Sequence, residues 1–250
     1  MKILCIIQAR MGSERLPGKV IKPIMDKPMI LYTLNRLSKS KYIDNIVLAT
    51  STEEREQLLV DVVKKAKYDV FRGHESNVLK RYKDASDKFG GDIIIRVTGD
   101  CPLIDAEIVD NVITYFKTND YDYVRLDVPD TFVRGFDVEI FTKAALDKVD
   151  KTVNNINIDE TKNTEEINMY KEHVTYYIYK HPEEFKIGYV KGSKFYNKDY
   201  RLCVDTKEDF NLVETIYNNF KNEFVSAKEV IEYLDNNSEV TKINRNIKQR

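Results

Sequence analysis

Residues 3–19 read ILCIIQARMGSERLPGK. The first six, Ile3–Gln8, are apolar and rich in β-branched side chains, which suits a short strand buried on both faces. The strand runs straight into a loop, Ala9 to Lys19, with two glycines, one serine and three cations, Arg10, Arg15 and Lys19. In an open parallel sheet, ligands bind beyond the carboxyl ends of the strands, so this loop stands where a ligand is received. Glycine lets backbone N–H groups approach phosphate oxygens, and Arg and Lys neutralise them. The spacing is not that of a Walker A loop. Gly12 and Gly18 enclose five residues, and Val20 follows Lys19 where that motif needs Ser or Thr. Nor is it GxGxxG. From the residues alone two readings stand: a phosphate cradle, or a glycine-containing surface loop with scattered charge.

Outward from this stretch, short apolar runs alternate with amphipathic ones. Asn45–Thr50, Tyr68–Arg72 and Asp92–Val97 read as further buried strands, and Pro28–Ser40, Thr52–Lys67 and Ser76–Phe89 as helices between them. Pro28 suits a first helical turn, Ser76 an N-cap and Gly90-Gly91 a stop. This alternation predicts a Rossmann-like α/β fold, a mainly parallel sheet with helices on both faces. Further on, Ala106–Asn119 reads as a helix, Tyr121–Leu126 and Gly135–Phe141 as strands, and Glu172–Lys180 as a helix. Lys186–Val190 and Arg201–Asp205 read as short strands, and Lys207–Lys221 and Ser226–Asn236 as closing helices. Residues 150–168 are polar and aperiodic, which predicts an exposed loop. The pattern is one nucleotide-handling domain over residues 1–236, with a smaller late lobe and a frayed tail, 237–250.

The bulk numbers exclude several classes. Forty basic and forty-one acidic residues leave a net charge of −1, so no broad basic face points to nucleic acid as a partner. No stretch reaches membrane-spanning length, and the short apolar start lacks the features of a signal peptide. Cys5, Cys101 and Cys203 have no metal-ligand spacing and read as free thiols in a reducing, cytoplasmic setting.

Two aspartates stand out. Asp100 follows a strand in Thr98-Gly99-Asp100-Cys101-Pro102, where glycine permits a tight turn and proline delays the next helix. Asp205 ends Arg201–Asp205 just before a helix. Two carboxylates from two strand ends can hold one hard cation of the magnesium type. Asp205 is read equally well as a cap of the following helix. There is no Cys/His cluster, GxSxG or Ser-His-Asp pattern.

The string 6–20, IIQARMGSERLPGKV, closely resembles the opening of the cytidylyltransferases that activate sugar acids, including the CMP-KDO and CMP-sialate synthetases. It is most similar to their spore-coat polysaccharide, SpsF-type branch. Three further strings resemble that branch in order: RVTGDCPLID (96–105), RGFDVE (134–139) and RLCVDTKEDF (201–210). KEHVT (171–175) resembles a fifth that usually begins with Arg. The resemblance implies the nucleotide-diphospho-sugar transferase type of fold and transfer of CMP from CTP to a small anionic sugar or sugar-acid-like acceptor, for surface polysaccharide or glycan synthesis. It implies catalytic roles for Arg10, Lys19, Asp100 and Asp205, with Mg2+ on the two aspartates. It implies nucleotide contacts from Gln8, Ala9, Arg10, Met11, Gly12, Ser13, Arg15 and Lys19, and base or ribose contacts from Arg72, Asn77 and Arg81. Arg134, Asp137, Glu139 and His173 fall where the acceptor binds, and a homodimer is implied. For these last groups the plainer readings are a solvated helix face, a half-exposed strand edge and a structural histidine. Cys101 departs from the KDO synthetases, which carry Glu there. Two other classes compete. A GT-A-type glycosyltransferase would show Asp-x-Asp after a strand, which Tyr121-Asp122-Tyr123 does not supply. A non-catalytic nucleotide-binding protein would not need both Asp100 and Asp205.

Overall fold

In the first strand, β1 (Ile3–Gln8), Ile3, Cys5 and Ile7 enter one core and Leu4 and Ile6 the other, because successive strand residues face opposite sides. The computed structural model, which describes residues 1–156 and 164–248, builds a sheet outward from this strand. A small hairpin, β2 (Pro23–Ile24) and β3 (Lys27–Pro28), leads into α1 (Met29–Leu37). Then come β4 (Asn45–Ser51), α2 (Gln57–Lys65), β5 (Asp69–Gly73), α3 (Val78–Phe89) and β6 (Ile93–Thr98). They are followed by α4 (Ala106–Lys117), β7 (Tyr123–Leu126), β8 (Glu139–Thr142), α5 (Lys143–Asn155), α6 (Thr164–Glu172), α7 (Tyr176–Lys180) and β9 (Ile187–Val190). The last elements are α8 (Lys207–Phe220), α9 (Ala227–Asn236) and α10 (Ser238–Thr241).

The sheet has seven strands in the order β5-β4-β1-β6-β8-β7-β9. β5, β4, β1 and β6 are parallel, β8 is antiparallel to both its neighbours, and β9 is parallel to β7. Helices α1, α2, α4, α8 and α9 supply Leu34, Leu59, Val109, Val213 and Val230 to one core. Helices α3, α5, α6 and α7 supply Leu79, Leu146, Tyr170 and Ile178 to the other. The fold is thus the Rossmann-like, mainly parallel α/β arrangement that the alternation predicts. The chain runs outward from β1 to β4 and β5, then returns to β6 on the other side of β1. This topological switch point opens a crevice beyond the β1 and β6 ends. The register Gln8↔Thr98 sets those two ends level.

Capping fixes where helices begin. Asn77, not Ser76, caps α3, accepting from Lys80 N at 2.9 Å. Asp105 caps α4 through Glu107 N and Ile108 N, and its second oxygen accepts from Ala227 N at the start of α9, at 2.7 Å. Pro28 stands at the N-cap of α1, one residue outside the helix.

Four expectations are corrected. Residues 150–155 complete α5 and residues 164–168 begin α6, so the polar stretch is helical at both ends; its middle, 157–163, lies outside the described residues. The helix expected over Glu172–Lys180 is divided: α6 ends at Glu172 and α7 starts at Tyr176. The strand expected over Gly135–Phe141 begins only at Glu139, because Gly135 turns the chain with φ +113°. Arg201–Asp205 makes no strand beyond a single bridge to Arg134. Its N–H groups go to separate partners, Leu202 N to Arg134 O and Val204 N to Asp100 O, both at 2.8 Å. The tail is also better placed than expected: α10 packs back, and Asn244 is buried.

Candidate active site

The crevice beyond β1 and β6 is a cleft of about 850 Å³. The first loop forms one wall, with Gln8, Ala9, Arg10, Gly12, Ser13, Glu14, Arg15 and Lys19. The start of α3 adds Asn77, Val78 and Arg81, the β6 end adds Thr98, Gly99 and Asp100, and the α6 end adds Asn168, Lys171, Glu172 and His173. Asp205 also lines it.

Two close backbone approaches bring the distant aspartates together. Gly99 lies against the end of β1, where a Cβ would come 2.7 Å from Ala9 Cβ, and its N–H donates to Gln8 O at 2.8 Å. Gly135 lies against Leu202, where a Cβ would fall 2.6 Å from that residue's carbonyl carbon. Only glycine fits both that contact and the φ of +113°. The segment 201–205 is thereby laid beside the Asp100 turn.

Lys19 is the hub. Its Nζ donates to Val204 O at 2.6 Å, to Asp205 Oδ1 at 2.9 Å and to Asp100 Oδ2 at 3.2 Å. The two carboxylate oxygens on this one nitrogen therefore lie within about 6 Å of each other. Arg15 and Arg201 reach the other Asp205 oxygen at 2.9 and 2.6 Å. Burial works to raise the Asp205 carboxyl, but Lys19, Arg15 and Arg201 outweigh it and hold it below the ordinary carboxylate value. Burial likewise works to lower Lys19, and Asp100 and Asp205 prevail, holding its ammonium above the usual range. The question of Asp205 as a helix cap is answered by its neighbours. Thr206 caps α8 through Asp209 N, and Asp209 closes the capping box, so the Asp205 side chain is left for the cleft.

Further cations line the cleft. Arg10 is exposed and has no ion pair or hydrogen bond among the described residues. Arg81 is buried; its Nη1 donates to His74 O and Glu75 O at 2.6 and 3.1 Å, while Nε has no partner among the described residues. Burial, and secondarily Arg10, lowers the Arg81 guanidinium.

Other sequence-predicted residues sit elsewhere. Met11, Arg72, Arg134, Asp137 and Glu139 are not among the residues that line the cleft. Arg72 spends its donors on Ser51, Thr52 and Glu53 carbonyls and on Gln57. Asp137 turns back to accept from Gly135 N at 2.6 Å. Burial raises its carboxyl, against the opposing pull of Gly135 N–H and Arg134. Glu139 is taken up by Arg96, Tyr123 and Thr175. Gln8 is fixed by Arg96 Nε at 3.2 Å, so this network props the cleft floor from below. Sequence reading missed Glu56. Wholly buried, it accepts from Met11 N at 2.9 Å and Thr50 Oγ1 at 2.9 Å and pins the first loop. Its place in a charge-rich run, Glu53-Glu54-Arg55-Glu56, gave no signal of burial.

Known proteins resemble this chain over most of its length. Residues 4–247 match the family model described as Cytidylyltransferase. The chain is 36% identical over 251 residues to an uncharacterized protein of Methanocaldococcus jannaschii, covering 100% of this chain and 97% of that one. It is 34% identical over 242 residues to the spore coat polysaccharide biosynthesis protein SpsF of Bacillus subtilis, covering 94% and 95%. A solved cytidylyltransferase from Leptospira borgpetersenii superimposes with a TM-score of 0.88 at 32% identity, over 100% and 99% of the two chains.

Proposed function

The chain belongs to the cytidylyltransferase family, and on that premise we propose that it transfers CMP from CTP to a small anionic sugar or sugar-acid-like acceptor. The observation that carries the reading is the convergence of Lys19, Asp100 and Asp205 at the switch-point cleft, which Arg10 and Arg81 also line. The reaction is an in-line displacement. An acceptor oxygen attacks the α-phosphorus, the new O–P bond forms as the α,β P–O bond breaks, and pyrophosphate departs with the electron pair. Positioning and charge neutralisation do most of this work. Arg10, Arg15 and Lys19 are placed to bind phosphate oxygens, and the α3 N-terminus with Asn77 and Arg81 to face the nucleoside. His173 and Lys171, on the opposite wall, stand ready for an anionic acceptor.

The donor set also suits a divalent cation. Two carboxylates and the Val204 carbonyl, all hard oxygens, point at one place, which the Lys19 ammonium fills here. Asp100 and Asp205 would hold Mg2+, and the ion would supply neutralisation of charge on the transferring phosphate. Synthesis of a surface polysaccharide, a homodimeric assembly and a cytoplasmic location complete the proposal. Among the described residues, no helix is long and apolar enough to cross a membrane.

The test is pyrophosphate release from CTP, ATP, GTP and UTP with Mg2+ and a panel of sugar acids and phosphosugars, the CMP product being identified by mass. Release confined to CTP and dependent on one anionic acceptor is expected. Equal release from all four nucleotides, or transfer undiminished by EDTA, would refute it.

A further inference from the structure

Asp209 is wholly buried, and a buried carboxylate needs all its acceptor sites filled. Its Oδ2 accepts from Asp205 N and Thr206 N, both at 3.0 Å. Its Oδ1 accepts from Arg201 Nε at 3.0 Å and from Asn244 Nδ2 at 2.8 Å. Asn244, which is 5% exposed, uses the same amide nitrogen to donate to Arg201 O at 2.9 Å. Asn244 therefore grips Arg201 twice, at its backbone and through the carboxylate that anchors its guanidinium. That guanidinium in turn reaches Asp205 Oδ2 at 2.6 Å. The amide comes from the C-terminal segment, which is held in place by Val240 and Ile243 packed on the first core.

We propose that Asn244 is a positioning residue for the transfer site, acting through Arg201 and Asp209 to aim the Asp205 carboxylate. It lies outside the cleft lining and touches none of the reacting groups. Remove its amide and Asp209 loses one of the two donors seen on Oδ1 among the described residues, while the Arg201 carbonyl loses its side-chain donor. Arg201 keeps its ion pairs but loses one tie on its backbone, and the carboxylate that anchors it loses a donor, so the aim of Asp205 loosens. A misplacement of about 1 Å matters little to stability but much to a group that must meet an ion and a phosphate.

The inference rests on the reading of Asp205 as a ligand for Mg2+, and the test separates the two. CTP affinity is measured by calorimetry in EDTA and in excess Mg2+, for the wild type, Asn244→Ala, Asp205→Asn and the double variant, alongside thermal melting. The wild type is expected to bind CTP more tightly with Mg2+. Asn244→Ala should keep CTP affinity in EDTA within about threefold, yet lose on the order of tenfold of the Mg2+-dependent tightening. The double variant should lose no more tightening than Asp205→Asn, because both act on one carboxylate. Should Asn244→Ala not fold, Asn244→Ser, which keeps one donor, carries the same comparison with a smaller loss. If the wild type shows no tightening, the metal reading of Asp205 falls and this inference with it. If the wild type tightens and a folded Asn244 variant tightens equally, or if the variant merely melts earlier, Asn244 is a structural residue and the inference alone is overturned.

Discussion

Replacing Lys19 by Met tests the hub of the site directly. Methionine keeps most of the stem's length and bulk and removes the ammonium. In the wild type that ammonium makes three charge-assisted contacts, at 2.6, 2.9 and 3.2 Å, with 11% of its side chain exposed. Breaking a buried ion pair on one side costs about 3–5 kcal/mol. The cost here should be smaller, because a quarter of Asp100 is exposed and Asp205 keeps Arg15 and Arg201. We expect a loss of roughly 2–3 kcal/mol, which lowers Tm by about 5–10 °C in a chain of this size. A divalent ion should now take the vacated place between the carboxylates. At Mn2+ a hundredfold above its Kd, the variant should regain about 2.7 kcal/mol, while the nucleotide-free wild type gains little because its own lysine competes. The assay is thermal melting of both proteins with and without Mn2+, with pyrophosphate release from CTP in parallel. Release should fall by orders of magnitude in Lys19→Met even with Mn2+, since the phosphates have lost a cation. The reasoning is refuted if the variant melts with the wild type and Mn2+ shifts the two equally.

Glu56→Ala removes the acceptor of the half-buried Met11 N–H and of the buried Thr50 hydroxyl, so it should cost on the order of 1–3 kcal/mol and raise the KM for CTP more than it lowers kcat. Initial rates and a melting curve decide; an unchanged KM in a folded variant counts against Glu56 as the loop's anchor. Glu139 gives a pH dependence. Burial works to raise its carboxyl, but Arg96 and the Tyr123 and Thr175 hydroxyls hold it below the ordinary value. A depressed carboxylate contributes stability in full above the unfolded value of about 4.3, and that contribution fades as pH falls through the lower folded value. Urea melts across that acid window should lose stability more gently for Glu139→Gln, although that variant starts lower at neutral pH; parallel curves would argue against the assignment.

The fold was readable because its signals are local. Five β-branched or apolar residues in Ile3–Ile7 cannot be covered by one layer of helices, and the intervening amphipathic runs supply the second. Errors came where the local signal is weak. The helix α6 buries only Ile167 and Tyr170, a pair three residues apart in an otherwise polar run, so its pattern looks like a loop. Helix α5, Lys143–Asn155, is absent from the sequence reading altogether: Leu146, Val149 and Val153 carry a helical spacing, but the polar residues among and after them concealed it. Strand and cap boundaries elsewhere moved by a residue or two, from Ser76 to Asn77 and on to Ser51, Gly73 and Thr98, whereas the helix expected over Thr52–Lys67 begins only at Gln57 and that over Pro28–Ser40 ends at Leu37.

The site divides in the same way. The first-loop cations and Asp100 are tied to strand ends, and strand ends can be placed from sequence. Asp205 cannot, because no ladder delivers it. It arrives through single contacts between segments far apart in the chain: Val204 N on Asp100 O, Leu202 N on Arg134 O, and the close approach of Gly135 to Leu202. Each contact needs a third segment already in place, and nothing in Arg201–Asp205 alone distinguishes that outcome from a short strand. The consequence is chemical as well as topological. Asp205 is held by Lys19 and Arg15 from the first loop, Arg201 from its own segment and, through Asp209, an amide near the C-terminus. A carboxylate with so many cations can be ionised and still within about 6 Å of a second carboxylate oxygen. Under the proposed transfer from CTP, that pairing would stand ready before the nucleotide arrives, since the cations that hold the carboxylates near each other are ones a phosphate chain can recruit.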